Sequence, residues 1–157
     1  MQLRRIWKGI LALPLVLLAL LVLYEAAGMA VNHWAGGRQT REMVRHLEKT
    51  LPQTEILDRY TEVGNTSGTG NHVDLLSAVL FRTAADPETV QQVCRADGDL
   101  DEWSLWAAPL EELAARREEH PEQFPFLEEL AVPRDTEGCW LLYKNTGAPF
   151  PNNIEGH

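Results

Sequence analysis

Basic residues are scarce in most of this chain, and their scarcity excludes one class of partner. Of the 14 Lys and Arg residues, Arg4, Arg5 and Lys8 precede the first apolar run, so the rest of the chain carries 11 basic against 23 acidic side chains, a net charge of −12. Proteins that bind nucleic acid need clustered positive charge to neutralise phosphates. Nucleic acid is therefore not an expected partner.

Motifs that hold nucleotides, metals or a catalytic serine are also missing. No Gly-Lys-Ser/Thr sequence follows the glycine-rich segment, no Gly-x-Ser-x-Gly elbow is present, and no two histidines have the spacing found in zinc proteases. No cofactor is therefore expected. The sequence leaves catalysis open but favours a role without it.

The longest run without charge lies near the N-terminus, from Gly9 to Tyr24, and is dominated by Leu, Ile, Val and Ala. Trp7 and Tyr24 stand at its two ends, and such aromatic residues prefer the membrane interface. A helix needs about 20 predominantly apolar residues to span a bilayer, so residues 7–31 are expected to cross a membrane. The basic residues before the run predict a cytoplasmic N-terminus and an extracytoplasmic C-terminal part.

The expected organisation is a basic tip and transmembrane helix over residues 1–35, followed by an extracytoplasmic domain over residues 36–157. The alternative is a signal peptide cleaved near the small residues that follow Glu25, which would release a secreted domain. The apolar run is long for a signal peptide, so retention in the cell membrane is favoured. No Cys directly follows the run, which excludes a lipoprotein anchor.

The chain contains only two cysteines, Cys94 and Cys139. In an exported domain an even number of cysteines is read first as a disulfide framework. We therefore expect a Cys94–Cys139 bridge, with two buried thiols as the alternative.

Hydrophobic periodicity predicts a small α+β domain after the apolar run. The sequence Ala-Gly-Gly-Arg at 35–38 is expected to break the membrane helix. The predicted elements are a helix over 38–51, strands over 54–63 and 72–83, helices over 86–95 and 108–120, and a strand over 138–145. They are expected to form an antiparallel sheet of at least three strands with flanking helices.

A polar segment of eight residues, Gly64–Asn71, separates two predicted strands that a turn of two to five residues would join. Its three glycines allow left-handed backbone and close approach of a ligand. Together with His72 it is referred to below as the polar loop. The alternative is a surface loop whose side chains bond only their own backbone. The candidate ligand-binding residues are Asn65, Thr66, Ser67, Thr69, Asn71 and His72.

A metal site is a second possibility at the same place. His72 and Asp74 are expected on one face of a strand, and Glu155 and His157 have the same spacing near the C-terminus. If the two pairs converge, they offer imidazole and carboxylate ligands of the kind that hold zinc. His72, Asp74, Glu155 and His157 are therefore the candidate metal ligands.

Two strings, TEVGNTSGTGNHVDLLSAVLF over residues 61–81 and APFPNNIEGH over residues 148–157, resemble a family of small exported or membrane-anchored bacterial proteins of unknown function. The resemblance covers the chain from about Arg38 onward. It implies an α+β fold but no established activity, so it assigns no catalytic residue.

The favoured hypothesis is a non-enzymatic, membrane-anchored domain that binds a small ligand or an envelope protein through the polar loop, with the C-terminal segment folded beside it. A second hypothesis is a metal-dependent or hydrolytic enzyme that uses His72, Asp74, Glu155 and His157. A third is a structural module of an envelope complex.

Overall fold

The first element is a helix, α1, that runs without interruption from Gln2 to Thr50 and is about 73 Å long at 1.5 Å per residue. The computed structural model describes residues 2–68, 70–95, 105–119 and 124–156. From Leu13, α1 has the length and composition of a membrane span or a signal sequence, and little of its apolar part is buried. The expected N-terminal apolar helix is therefore confirmed.

The predicted break at residues 35–38 is wrong, because α1 continues through both glycines. A Cβ on Gly36 would lie 3.1 Å from Thr61 Cγ2 and 3.2 Å from Val63 Cγ2, two side chains of the first strand. Glycine costs a helix roughly 1 kcal/mol relative to alanine. At Gly36 this cost is offset by the close approach of the helix to the sheet.

Among the described residues, four strands follow α1 and form one antiparallel sheet in the order β1-β2-β4-β3. The α+β prediction is confirmed, and so are the long hairpin of β1 and β2 and the last strand. The elements after α1 are β1 (Glu55–Gly64), β2 (Asp74–Arg82), α2 (Pro87–Arg95), β3 (Leu105–Pro109), α3 (Leu110–Glu119) and β4 (Cys139–Gly147).

Local sequence explains where α2 begins and why β3 tolerates a proline at its end. Asp86 caps α2 by accepting hydrogen bonds from the backbone N–H and the hydroxyl of Thr89, which lower the pKa of Asp86. Pro109 was expected to open a helix but instead ends β3, a strand that the sequence analysis missed. Because β3 is an edge strand, a proline without an N–H is tolerated there.

The sheet has a hydrophobic cluster on each face. Helices α1 and α2 cover one face, and α3 with the 3₁₀ turn Pro125–Glu128 covers the other. Alternation along β2 sends Val79 and Phe81 to the first face and Ala78 and Leu80 to the second. Both faces of β2 are therefore buried, as its almost continuous apolar sequence predicts.

The predicted disulfide between Cys94 and Cys139 is wrong. Both side chains are buried and they are not bonded to each other. Cys94 packs in the cluster under α2, whereas Cys139 at the start of β4 packs in the cluster on the opposite face. The sheet stands between them, while a bridge requires β-carbons about 4 Å apart.

A buried polar network fixes α1 against the sheet. The Thr40 hydroxyl lies 2.8 Å from Ser77 Oγ and 2.5 Å from Thr61 Oγ1. The preceding residue, Gln39, donates through Nε2 to Ser77 Oγ at 3.2 Å, and Thr146 donates to Gln39 Oε1 at 2.6 Å. Buried polar groups are costly without partners, so this network favours one position of the helix along β2.

The two adjacent glycines of α1 provide a matched test of the helix–sheet contact. We expect Gly36→Leu to lower the free energy of unfolding by about 1–3 kcal/mol, because its side chain must enter filled space beside Thr61 and Val63. Gly37→Leu meets only the flexible end of Arg41 and should be neutral or stabilising. Urea unfolding of the full chain in detergent, followed by tryptophan fluorescence, measures both. Equal losses would contradict the close contact at Gly36.

The state of the cysteines is tested by alkylation and mass measurement. After unfolding without a reductant, the chain should take up two alkyl groups, one each on Cys94 and Cys139. The folded chain should be labelled far more slowly, since both side chains are buried. A chain that accepts the label only after reduction would contain the bridge.

Candidate functional site

The described residues of the polar loop are joined by hydrogen bonds to their own backbone. Asn65 Nδ2 donates to the carbonyl oxygen of Gly70 at 2.6 Å, and the Thr66 N–H donates to the carbonyl oxygen of Gly64 at 2.9 Å. Gly68 and Gly70 have φ values of +66° and +75°, a region that side chains disfavour. The glycines therefore let the loop close on its own amide groups.

Asp74, the first residue of β2, holds the loop from beneath. Its buried carboxylate accepts the Ser67 N–H at 3.0 Å and lies 3.0 Å from His72 Nε2. Thr66 Oγ1 makes a further bond, at 3.2 Å, to Asn145 Oδ1 on β4. The loop is thus attached to both central strands.

Ser67, His72 and Asp74 are the residue types of a hydrolytic triad, but their geometry differs from one. Ser67 Oγ lies 3.3 Å from His72 Nε2, the same ring nitrogen that faces Asp74. In a working triad the serine and the carboxylate occupy opposite nitrogens, so that the ring can pass a proton between them. The three side chains therefore lack the geometry of a triad, and their contacts join Ser67 to the start of β2.

Tyr143 on β4 is a half-buried titratable ring whose pKa responds to the charge of Asp74. Burial raises the pKa of Tyr143, and the negative charges of Asp74 and Glu62 raise it further, while a hydrogen bond with Asn145 opposes the shift. The phenol therefore stays protonated at neutral pH and does not act as a base there.

The C-terminal segment folds beside the polar loop, as expected. The segment Ala148–Gly156 is referred to below as the tail. The Val73 N–H donates to the carbonyl oxygen of Pro151 at 2.8 Å, and the Ala148 N–H donates to that of Val73 at 2.9 Å. Gly156 lies on the backbone of His72, where an added Cβ would be only 2.7 Å from the His72 carbonyl carbon. The two unusual strings of the sequence therefore form one surface.

The tail also docks on α1. The buried Asn32 side chain makes two hydrogen bonds of 3.0 Å with the backbone N–H and carbonyl of Phe150. His33 Nε2 lies 2.6 Å from Glu155 Oε1, and Glu25 accepts the Ile154 N–H at 3.0 Å. These contacts cover about two turns of the helix directly after the apolar run.

The polar loop and the tail therefore lie at the end of the sheet that faces the apolar part of α1. The chain reverses after Thr50, and β1 returns along α1 until Val63 contacts Gly36. Tyr24, which ends the uncharged run, is nine residues before His33, or about 14 Å of helix. Glu155 of the tail, which contacts His33, is thus within roughly this distance of the end of the run.

The proposed ligand-binding residues are brought together only in part. The side chains of Asn65, Ser67 and Asn71 are exposed, and those of Thr66 and His72 are half-buried. Thr69 lies outside the described residues. The loop thus shows polar side chains on its outer side while its inner side is occupied by its own hydrogen bonds.

The four candidate metal ligands do not share one site within the part of the chain that the structure describes. His72 pairs with Asp74, whereas the Glu155 side chain turns toward α1, where it contacts His33 and Asn153. Across the described ranges, which leave out His157, no three His, Cys, Asp or Glu side chains are placed to hold a metal ion.

The residues of α1 that hold the tail, Asn32 in particular, were not predicted from the sequence. An amide that follows the apolar stretch Ala26–Val31 is ordinary at a membrane boundary, so the pattern alone does not mark it. Burial of Asn32 against the backbone of Phe150 becomes visible only when the tail is placed.

The contact between tail and polar loop is tested by a pair of glycine substitutions. Gly156→Ala places a methyl group against the His72 backbone and should release the tail, with faster hydrogen exchange at both the tail and residues 64–72. Gly147→Ala meets open space and should leave exchange unchanged. Exchange that stays slow in Gly156→Ala would show that the contact does not hold the tail.

Comparisons of the chain with protein-family models, with curated proteins and with solved structures found no match.

Proposed function

We propose that this protein is a single-pass, membrane-anchored binding module whose extracytoplasmic domain engages an envelope protein through the polar loop and the tail. The observation that carries the proposal is that the tail docks on α1 immediately after its apolar part and packs against the polar loop. The N-terminus is cytoplasmic in this proposal, as the positions of Arg4, Arg5 and Lys8 favour.

The exposed side chains of α1 support a membrane anchor. Leu and Val residues between Leu13 and Leu23 are more than half exposed. A surface of this size and apolarity is unfavourable in water and favourable in lipid. The described part of the domain leaves these side chains uncovered, which fits an apolar segment surrounded by the bilayer.

Contacts across the possible cleavage region favour retention over secretion. A cut among the small residues after Glu25 would remove that carboxylate from the Ile154 N–H, and would separate Tyr24 from the ring of Phe150, 5.8 Å away. Gly28, in the same region, packs against the Phe150 side chain. The helix that continues the apolar run is thus also part of the domain.

The shape of the polar loop favours a protein partner over a small ligand. Small molecules bind in concave sites that cover most of their surface, whereas Asn65, Ser67 and Asn71 stand exposed on the outer side of the loop. The bonds from Asp74 and the tail hold the loop in one conformation before binding, which lowers the entropy lost on association.

The partner surface is tested by photo-crosslinking in native membranes. A benzophenone side chain at exposed Asn71 should give one adduct of defined mass with an envelope protein. The same group at Arg134, exposed on the loop between the 3₁₀ turn and β4, should give none. Adding Gly156→Ala should reduce the Asn71 adduct roughly tenfold, the effect of about 1.4 kcal/mol of lost contact, and Gly147→Ala should not reduce it.

Equal adduct yields from positions 71 and 134 would contradict a specific surface. An Asn71 adduct that is indifferent to Gly156→Ala would limit the surface to the loop and exclude the tail. A partner recovered in a fixed ratio would favour a structural module of an envelope complex.

A further inference from the structure

We infer that the tip of the tail, Phe150–Ile154, lies in the lipid interface of the outer leaflet, with the Ile154 side chain inserted among the lipids. This inference deepens the proposed function, since it rests on α1 being a retained membrane anchor. It gives the tail a second partner, the bilayer itself.

The length of the uncharged run indicates where the outer boundary falls. Gly9 to Tyr24 covers about 24 Å as a helix, whereas the hydrocarbon core of a bilayer is about 30 Å thick. With Lys8 at the inner boundary, the hydrocarbon extends about four residues beyond Tyr24, to the level of Gly28. The next turn of α1 then lies in the headgroup region.

The tail is fixed to α1 at this level. Ile154 is bonded through its N–H to Glu25, the Phe150 ring contacts Tyr24 and Gly28, and the Phe150 backbone is bonded to Asn32. A segment attached at Glu25 and Asn32 cannot stand away from a membrane whose boundary falls between them. The tail therefore lies against the outer leaflet at the place where α1 leaves the hydrocarbon core.

Ile154 is the side chain suited to this contact. It is 63% exposed, although isoleucine is usually buried in a domain, and it lies at the level of the exposed apolar side chains of α1. The acidic groups of this region are engaged within the protein, Glu25 with the Ile154 N–H and Glu155 with His33 and Asn153. The contact is therefore apolar and does not need anionic lipid.

Several backbone groups of the tail have hydrogen-bond partners within the protein and so do not need water. Its N–H groups at Phe150, Ile154 and Gly156 donate to Asn32, Glu25 and the carbonyl oxygen of Asn153. Its Pro151 carbonyl accepts the Val73 N–H. Backbone groups without partners are costly in lipid, so these bonds make interfacial placement inexpensive.

The inference is tested with a fluorescent probe on the full chain in nanodiscs of zwitterionic lipid. Ile154→Cys is labelled with a nitrobenzoxadiazole dye, and the two native cysteines, both buried, react slowly under folding conditions. The control is Val132→Cys, at a side chain that is 46% exposed on the segment bonded to Asp58, toward the opposite end of the sheet. Thermal unfolding verifies that both variants fold.

The probe at position 154 should emit at shorter wavelength and be quenched by lipids that carry a nitroxide near the headgroup, and more weakly by lipids labelled deep in the acyl chain. The probe at position 132 should be unaffected by either. Equal quenching of the two probes, or water-like emission from position 154, would overturn the inference and leave the anchor intact. A blue-shifted probe that no lipid quenches would indicate a protein contact, from a second copy or a partner, and would also overturn it.

Incorporation of the chain into the discs is measured separately by size exclusion. A chain that fails to enter the discs would contradict the membrane anchor, and with it both the proposed function and the lipid contact. Loss of the Asn71 crosslink with retained quenching at position 154 would contradict the partner surface alone.

Discussion

One unbroken helix constrains the rest of this molecule, because α1 contains the apolar segment and also packs in the hydrophobic core of the domain. Met43 and Leu47 are fully buried beneath the sheet, while Leu13 to Leu23 face outward on the same helix. No linker separates the two parts, since the helix passes through Gly36 and Gly37 without a change of structure. The orientation of the sheet relative to the apolar segment is therefore set by side-chain packing along a single axis.

Two buried polar side chains give the end of the sheet its shape. Asn32 bonds both backbone groups of Phe150, and Asp74 accepts the Ser67 N–H while facing His72. A buried amide or carboxylate that loses its partners costs about 1–3 kcal/mol or more. The tail and the loop are thus each held in one arrangement by hydrogen bonds to backbone groups. Substitution of the exposed side chains nearby would leave these bonds in place.

Much of the fold was predictable because its elements have strong local patterns. The alternation in β1, the apolar run of β2 and the Asp86 cap of α2 each indicate one structure, and all three are confirmed. β3 was missed because Leu105–Pro109 is short and ends in a proline, which resembles a helix start. Residues 35–38 were misread because a pair of glycines indicates a break unless a neighbouring strand needs the space.

The candidate site was less predictable, since it depends on contacts between distant parts of the chain. The polar loop stood out by its length and glycines, and the folding of the tail beside it was expected. Two hydrogen bonds fix the loop and the tail, one between Ser67 and Asp74 and one between Phe150 and Asn32. No local sequence pattern predicts either bond. The disulfide prediction failed for the same reason, because the number of cysteines does not reveal that a sheet lies between them.

The strand order has a consequence for how the chain is assembled during synthesis. Among the described strands β3 pairs with β4 alone, and β4 lies between β2 and β3. The sheet is therefore complete only after β4 has been synthesised, as far as residue 147. Until then the β2 edge of the β1–β2 hairpin has no strand beside it, and Asn32 lacks the backbone of Phe150 that it later bonds. Contacts between residues more than a hundred positions apart are slow to form. The domain therefore completes its fold late, around a helix that emerges first.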